Sequence, residues 1–172
     1  MAFKDMFSKL SAEEDIIPDG YKIKASSVFA LEELYVEMQR WFLHAGYDWK
    51  ETRYLVSDMP NGSRLNEISW VCTRKVDEYV SYVFEMHLKA TVSEVEVTID
   101  NTKKKMDKGS VEYRFHGVMK KNVSVWDKKF FGQLLRLIYE KILISDRLGE
   151  YEERLGAESN AFFDEIKGYL GI

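Results

Sequence analysis

His87 and His116 are the residues best placed to do chemistry, each standing on an alternating run that reads as a strand, with Glu85 in one and Glu112 and Arg114 in the other. If the two strands are neighbours, imidazoles and carboxylates converge within reach for proton transfer or metal ligation. A solvated sheet face carrying cross-strand ion pairs accounts for the same residues, since nothing fixes the register. No catalytic residue, metal ligand or cofactor is therefore assigned. His44 stands near the end of a helical stretch, where it suits the helix C-terminus. The single cysteine, Cys72, lies inside an apolar alternation and has no partner for an internal disulfide. It reads as a small buried hydrophobe in a reducing compartment. The sequence has no Walker loop, no GxGxxG fingerprint, no CxxC pair, no HExxH and no GxSxG.

Charge gives a second candidate. Nine Lys/Arg against three Asp/Glu fall between Asn101 and Lys129, in a chain whose net charge is -4. Lys103, Lys104, Lys105, Lys108, Lys120 and Lys121, with Lys128 and Lys129 after them, could meet the phosphates of a nucleic acid, a ribosome or an anionic membrane. Sequence-reading surfaces interleave lysine with arginine and exposed aromatics, and this interval holds only Arg114. Charged hairpin edges that discourage aggregation explain the same lysines.

The elements that must carry these residues follow from periodicity. The chain has 172 residues, 45% hydrophobic and 14% aromatic, enough for one domain with a substantial core. Met1–Leu10 places Phe3, Met6, Phe7 and Leu10 on one helical face, and Pro18-Asp19-Gly20 breaks the chain. Tyr21–Phe29 reads as a strand. Residues 30–45 read as a helix with Leu31, Leu34, Tyr35, Met38, Trp41 and Phe42 on one stripe, stopped at Gly46. The stretch 47–57 fits a short helix or a strand, and Asn61-Gly62 marks a hairpin turn.

Three or four strands follow. They alternate at Ile68, Trp70 and Cys72, over Val80–Leu88, at Val95, Val97 and Ile99, and, after a lysine-rich turn, at Val111, Tyr113 and Phe115. Residues 125–145 form a helix apolar on more than one side, hence one that should be largely buried on the sheet. A thinner helix runs over 146–170; its Leu148, Tyr151, Leu155, Glu158, Phe162 spacing is near-heptad. The fold expected is α+β: an antiparallel sheet of four to six strands packed against a long buried C-terminal helix, with an additional terminal helix. Its parts are a helical segment and turn over 1–20, a core over 21–145, and a last helix, 146–172, packed on the core or on a partner. No run approaches the roughly eighteen apolar residues of a spanning helix. The first ten residues lack a signal-peptide core, so a cytoplasmic protein is expected.

This order of elements, over Tyr21 to Ser145, resembles START-like helix-grip domains. That resemblance implies an apolar ligand held between sheet and C-terminal helix, against Trp70, Tyr82, Phe84, Tyr113, Phe115, Trp126, Phe130 and Leu134; extra segments at both ends depart from the pattern. Trp41–Lys50 and Tyr151–Leu155 resemble small archaeal proteins, which implies no activity. Large facing aromatics fill a core by default rather than line a cavity. The function expected first is non-catalytic binding or assembly, through a protein partner or self-association, with Phe3, Phe7, Phe162 and Phe163 of the terminal helices as the contacts. Carriage of a small apolar ligand and contact with nucleic acid through the basic region are the alternatives.

Overall fold

The computed structural model describes residues 11–17, 20–99, 102–126 and 128–172. The expected helix Met1–Leu10, with its contacts Phe3 and Phe7, lies outside the described residues. The strands are β1 (Glu13–Asp15), β2 (Tyr21–Phe29), β3 (Asp48–Asp58), β4 (Arg64–Lys75), β5 (Val80–Ile99) and β6 (Thr102–Lys121). The helices are α1 (Leu31–His44), α2 (Phe130–Ile138) and α3 (Ser145–Leu170), with a 3-10 turn at Val123–Val125 and a π turn at Tyr139–Leu143. The fold is α+β, a six-stranded antiparallel sheet with helices on one face.

The sheet is a meander, β3-β4-β5-β6, whose last strand is met along its outer edge by β1 and β2 in series. β1 pairs with residues 118–120 and β2 with residues 107–115 of β6. Between them the Ile16 amide donates to the Gly117 carbonyl at 3.1 Å. Gly20 turns the chain into β2 with φ +68, where a Cβ would press the Phe115 carbonyl at 2.9 Å; only glycine accepts both constraints.

β5 runs unbroken through 20 residues, so Val80–Leu88 and Val95–Ile99 are one strand and not two. Beyond the last β4 pair, Arg64 with Val92, and the last β2 pair, Phe29 with Asp107, β5 and β6 continue as a two-stranded ribbon. Lys103, Lys104 and Lys105 therefore sit in β6 rather than in a turn. The stretch 47–57 is strand β3, kinked by a bulge between Glu51 and Arg53.

Period two sends Ile68, Trp70 and Cys72 of β4, the even residues of β5 from Val80 to Val92, and Val111, Tyr113 and Phe115 of β6 to one buried face. α1 buries Leu34, Met38 and Phe42 on it, one residue per turn. Ala30 cannot cap this helix, so Asp107 of β6 accepts from the Leu31 amide instead, at 3.1 Å.

α3 crosses the same face and buries Leu148, Leu155, Ser159, Phe162, Ile166 and Leu170. Phe162 sits at the centre, within 4.7 Å of the Phe42 ring and 5.4 Å of Phe115. The backbones close up where Gly117 faces Ser159, for a Cβ on Gly117 would stand 3.3 Å from the Ser159 hydroxyl and 3.1 Å from Phe84. The near-heptad stripe is thus spent within the chain, on its own sheet. Phe162 is core, not a partner contact; Phe163 is half-buried and stacked on Tyr21 at 4.4 Å.

The expected long helix over 125–145 is corrected most. It is a 3-10 turn, nine residues of α2 and a π turn, and it does not cover the sheet with its apolar side.

Candidate interaction surface

Phe131, Leu135, Ile138 and Ile142 recur every three or four residues along α2 and the π turn, which puts them on one stripe. That stripe faces outward, from 76% exposed at Phe131 and 71% at Ile142 to 39% at Ile138, and Leu143 beside it is exposed as well. The inward side carries Arg136 and Glu140, one turn apart, with Gly132 and Leu137 beside them, all buried.

The helix is turned polar side inward by what it meets. Glu140 Oε1 accepts from Arg136 Nε at 2.5 Å and from the Tyr79 hydroxyl at 2.6 Å, and Oε2 accepts from Lys121 Nζ at 3.1 Å. Lys121 also donates to Glu14 at 2.6 Å, and Arg136 Nη2 donates to the Ser11 carbonyl at 2.6 Å. Burial works against the Glu140 charge, yet the bonds from Tyr79, Arg136 and Lys121 hold its carboxyl below the usual range. Burial and the bond to Glu140 push the Tyr79 phenol up to about 12. Glu14, Glu140, Lys121 and Arg136 form a network that Glu152 of α3 joins through Glu14, and a helix with Leu in place of Glu140 would leave it with uncompensated charge. The π turn, closed by the Ile144 amide on the Tyr139 carbonyl at 2.9 Å, links the stripe to the start of α3.

The other expected sites are placed as follows. Trp70, Tyr82, Phe84, Tyr113 and Phe115 come together under α1 and α3, fully buried. Trp126, Phe130 and Leu134 do not join them. Trp126 packs on Tyr139 at 5.3 Å, Leu134 is half-exposed on α2, and Phe130 is more than half exposed. The eight residues implied by the helix-grip resemblance therefore do not line one cavity. An open depression of about 560 Å³ lies elsewhere on this face, beside the first turns of α1, among Leu31, Tyr35, Tyr54, Asn66, Ile68 and Val92.

The basic region is divided. Lys103 pairs with Glu96 at 3.2 Å and Lys105 with Glu94 at 2.7 Å across the ribbon, while Lys120 pairs with Glu13 at 3.0 Å. Lys104 stands opposite Val97 and Lys108 opposite Ser93. Lys121 leaves the set, being buried in the Glu140 network.

His87 and His116 do share the outer sheet face on adjacent strands, facing Arg114 and Glu85 respectively. With Glu85, Arg114 and Asp15 they line one open depression of about 480 Å³, but their ring nitrogens bond elsewhere: His87 Nδ1 lies 2.9 Å from the Ser69 hydroxyl, and His116 Nε2 lies 3.3 Å from Asp15. Among the described residues no cluster of three or more His, Cys, Asp or Glu is arranged to hold a metal. Cys72 is buried in the core, and burial pushes its thiol up to about 12.

Two polar clusters were missed from sequence. Besides the Glu140 network, Arg74 donates to both oxygens of Glu158 at 2.7 Å and to the Ala45 carbonyl at 2.6 Å, with Tyr47 and Tyr82 against its guanidinium. Tyr47 donates to Glu158 at 2.8 Å. Both had a signal. Arg74 continues the inward positions Ile68, Trp70, Cys72, and Lys121 continues Val111, Tyr113, Phe115.

The sequence matches no protein-family model, and no curated protein matches it significantly. No helix among the described residues is long and apolar enough to cross a membrane.

Proposed function

We propose that this is a non-catalytic binding protein that attaches to a larger partner through the outward apolar stripe of α2 and the π turn. The observation that supports the reading is the orientation of this segment, which buries Arg136 and Glu140 and offers Phe131, Leu135, Ile138, Ile142 and Leu143 to the outside. An exposed contiguous apolar surface of this kind marks an interaction site. Contact through α3 is set aside, because Phe162 is core. Neither alternative has comparable support: rings fill the space between sheet and α3, and glutamates neutralise several of the lysines.

The test compares the full-length chain with Leu135→Glu/Ile142→Glu by light scattering after gel filtration and by binding of a hydrophobic-surface dye. The wild type should bind dye or self-associate. The variant should lose both with unchanged thermal unfolding. A dye-silent monomer in both cases would remove the reading.

A further inference from the structure

We infer that the open depression beside the first turns of α1 is a binding site for a small, planar, uncharged heteroaromatic molecule. Its ligand presents a hydrogen-bond donor and an acceptor side by side, as adenine and nicotinamide do. The site lies apart from the α2 stripe and from the ring-filled space beneath α3, so it does not depend on the attachment reading.

The depression comes from a step in the size of the sheet's inner residues. One row across β3, β4 and β5 is Tyr54, Ile68 and Leu88; the next is Val56, Asn66 and Ala90. The smaller row leaves an open space of about 560 Å³, within the range of small-molecule sites. To its lining α1 contributes Leu31, Tyr35 and Val36, and the sheet contributes Tyr54, Ile68 and Val92.

Asn66 gives this apolar site its polarity. It is 7% exposed, it stands between Val56 and Ala90, and its carboxamide makes no hydrogen bond to a described residue. A buried carboxamide without a partner is costly, and the depression that Asn66 lines is where a partner can reach it. The carboxamide offers an acceptor and donors in one plane. Such a group pairs with an edge that carries an adjacent donor and acceptor, which is how Asn reads adenine. A purely apolar ligand would leave it unpaired. Tyr35 and Tyr54 supply rings against which a flat partner can lie. Charges of both signs stand at the rim, Glu32 and Asp107 with Arg64, so no single sign of ligand charge is selected.

The experiment titrates the full-length chain with adenine and, separately, with nicotinamide, read by saturation-transfer NMR and by tryptophan fluorescence. Tyr35 lies 5.4 Å from Trp70 and 6.1 Å from Trp49, so filling the depression should change that emission. At least one probe should bind saturably. Its analogue without the donor, purine or methyl nicotinate, should bind about ten-fold or more weakly. Asn66→Leu should cost the full probe a similar factor and change little for the analogue. Its thermal unfolding should match or exceed that of the wild type, because an unpaired buried amide has been removed. Leu135→Glu/Ile142→Glu should bind the probe as the wild type does, which keeps this test separate from that of the α2 stripe. Absence of saturable binding by both probes would overturn the inference, as would binding that Asn66→Leu leaves intact. A clear loss of stability in Asn66→Leu would also overturn it, since the carboxamide would then serve the fold.

Discussion

α2 and α3 are consecutive, and their sequences point the opposite way from their burial. Six of the nine residues of α2 are Phe, Leu or Ile, yet its apolar stripe is outside. α3 spreads a thinner set of apolar residues over 26 positions and buries almost every one that falls on its inner stripe. Burial depends on what the opposing surface supplies. Under α3 the sheet offers Phe84, Tyr113 and Phe115; under α2, at the ends of β5 and β6, it offers Tyr79 and Lys121. A helix docks with the side that completes the surface it meets, and average hydrophobicity does not decide which side that is.

The comparison breaks most readily at the two phenylalanines. Phe162→Ala should cost about 3–5 kcal/mol, the range for emptying a packed aromatic site, whereas Phe131→Ala should stay within about 0.5 kcal/mol as an exposed change. Urea denaturation measures both, and equal losses would mean that α2 is buried after all. Next comes the network that holds α2 polar side in. Glu140→Gln should destabilise by about 3 kcal/mol, since Arg136 and Lys121 stay buried with less compensation. Limited proteolysis should then cut first within 130–144; cleavage first within α3 would reverse the ranking of the two helices.

Acid titration tests the same contact without mutation. Glu140 has its native pKa held below the ordinary glutamate value of 4.5, so its contribution is complete above that value and is lost as the pH falls below it, through the depressed native value. Protease protection of α2 should fall in that window in the wild type, and Glu140→Gln should flatten the dependence. A wild-type profile flat down to full unfolding would show that the carboxylate does not hold the helix. A small effect, opposite in sign to that of Phe162→Ala, is expected at Tyr113→Phe beneath α3. The Tyr113 hydroxyl is buried with no hydrogen-bond partner among the described residues, so its removal should be neutral or stabilising by about 1 kcal/mol. A clear loss in urea would reveal a polar partner in what is otherwise an aromatic core.

Much of the fold was legible because period two and period 3.6 are printed directly in the residue order. The even residues of Val80–Leu88, the stripe of α1 and the Gly46 stop are all found, whereas the sequence left open whether the His87 and His116 strands are neighbours. The surface proposed for binding was not legible. Residues 125–145 are apolar on several sides, and such a pattern does not say which side faces the protein. The clue was Arg136 and Glu140 one turn apart, which gains meaning only once Lys121 and Tyr79 are known to lie beneath them. The pairing of the lysines was illegible for the same reason, because ion pairing and burial depend on cross-strand register, which spacing does not give.

By itself, then, the sequence determined most of the strands, the first and last described helices and the α+β class, since local periodicity and turn chemistry are properties of neighbouring residues. The tertiary structure decided which helix covers the sheet, that β5 continues unbroken into a ribbon with β6, and that α2 turns its apolar side out. Those outcomes depend on groups far apart in the chain: Glu140 with Lys121 and Tyr79, Arg74 with Glu158, Asp107 with the start of α1. A buried charge has to be matched by its partners in space, and no window of sequence contains them.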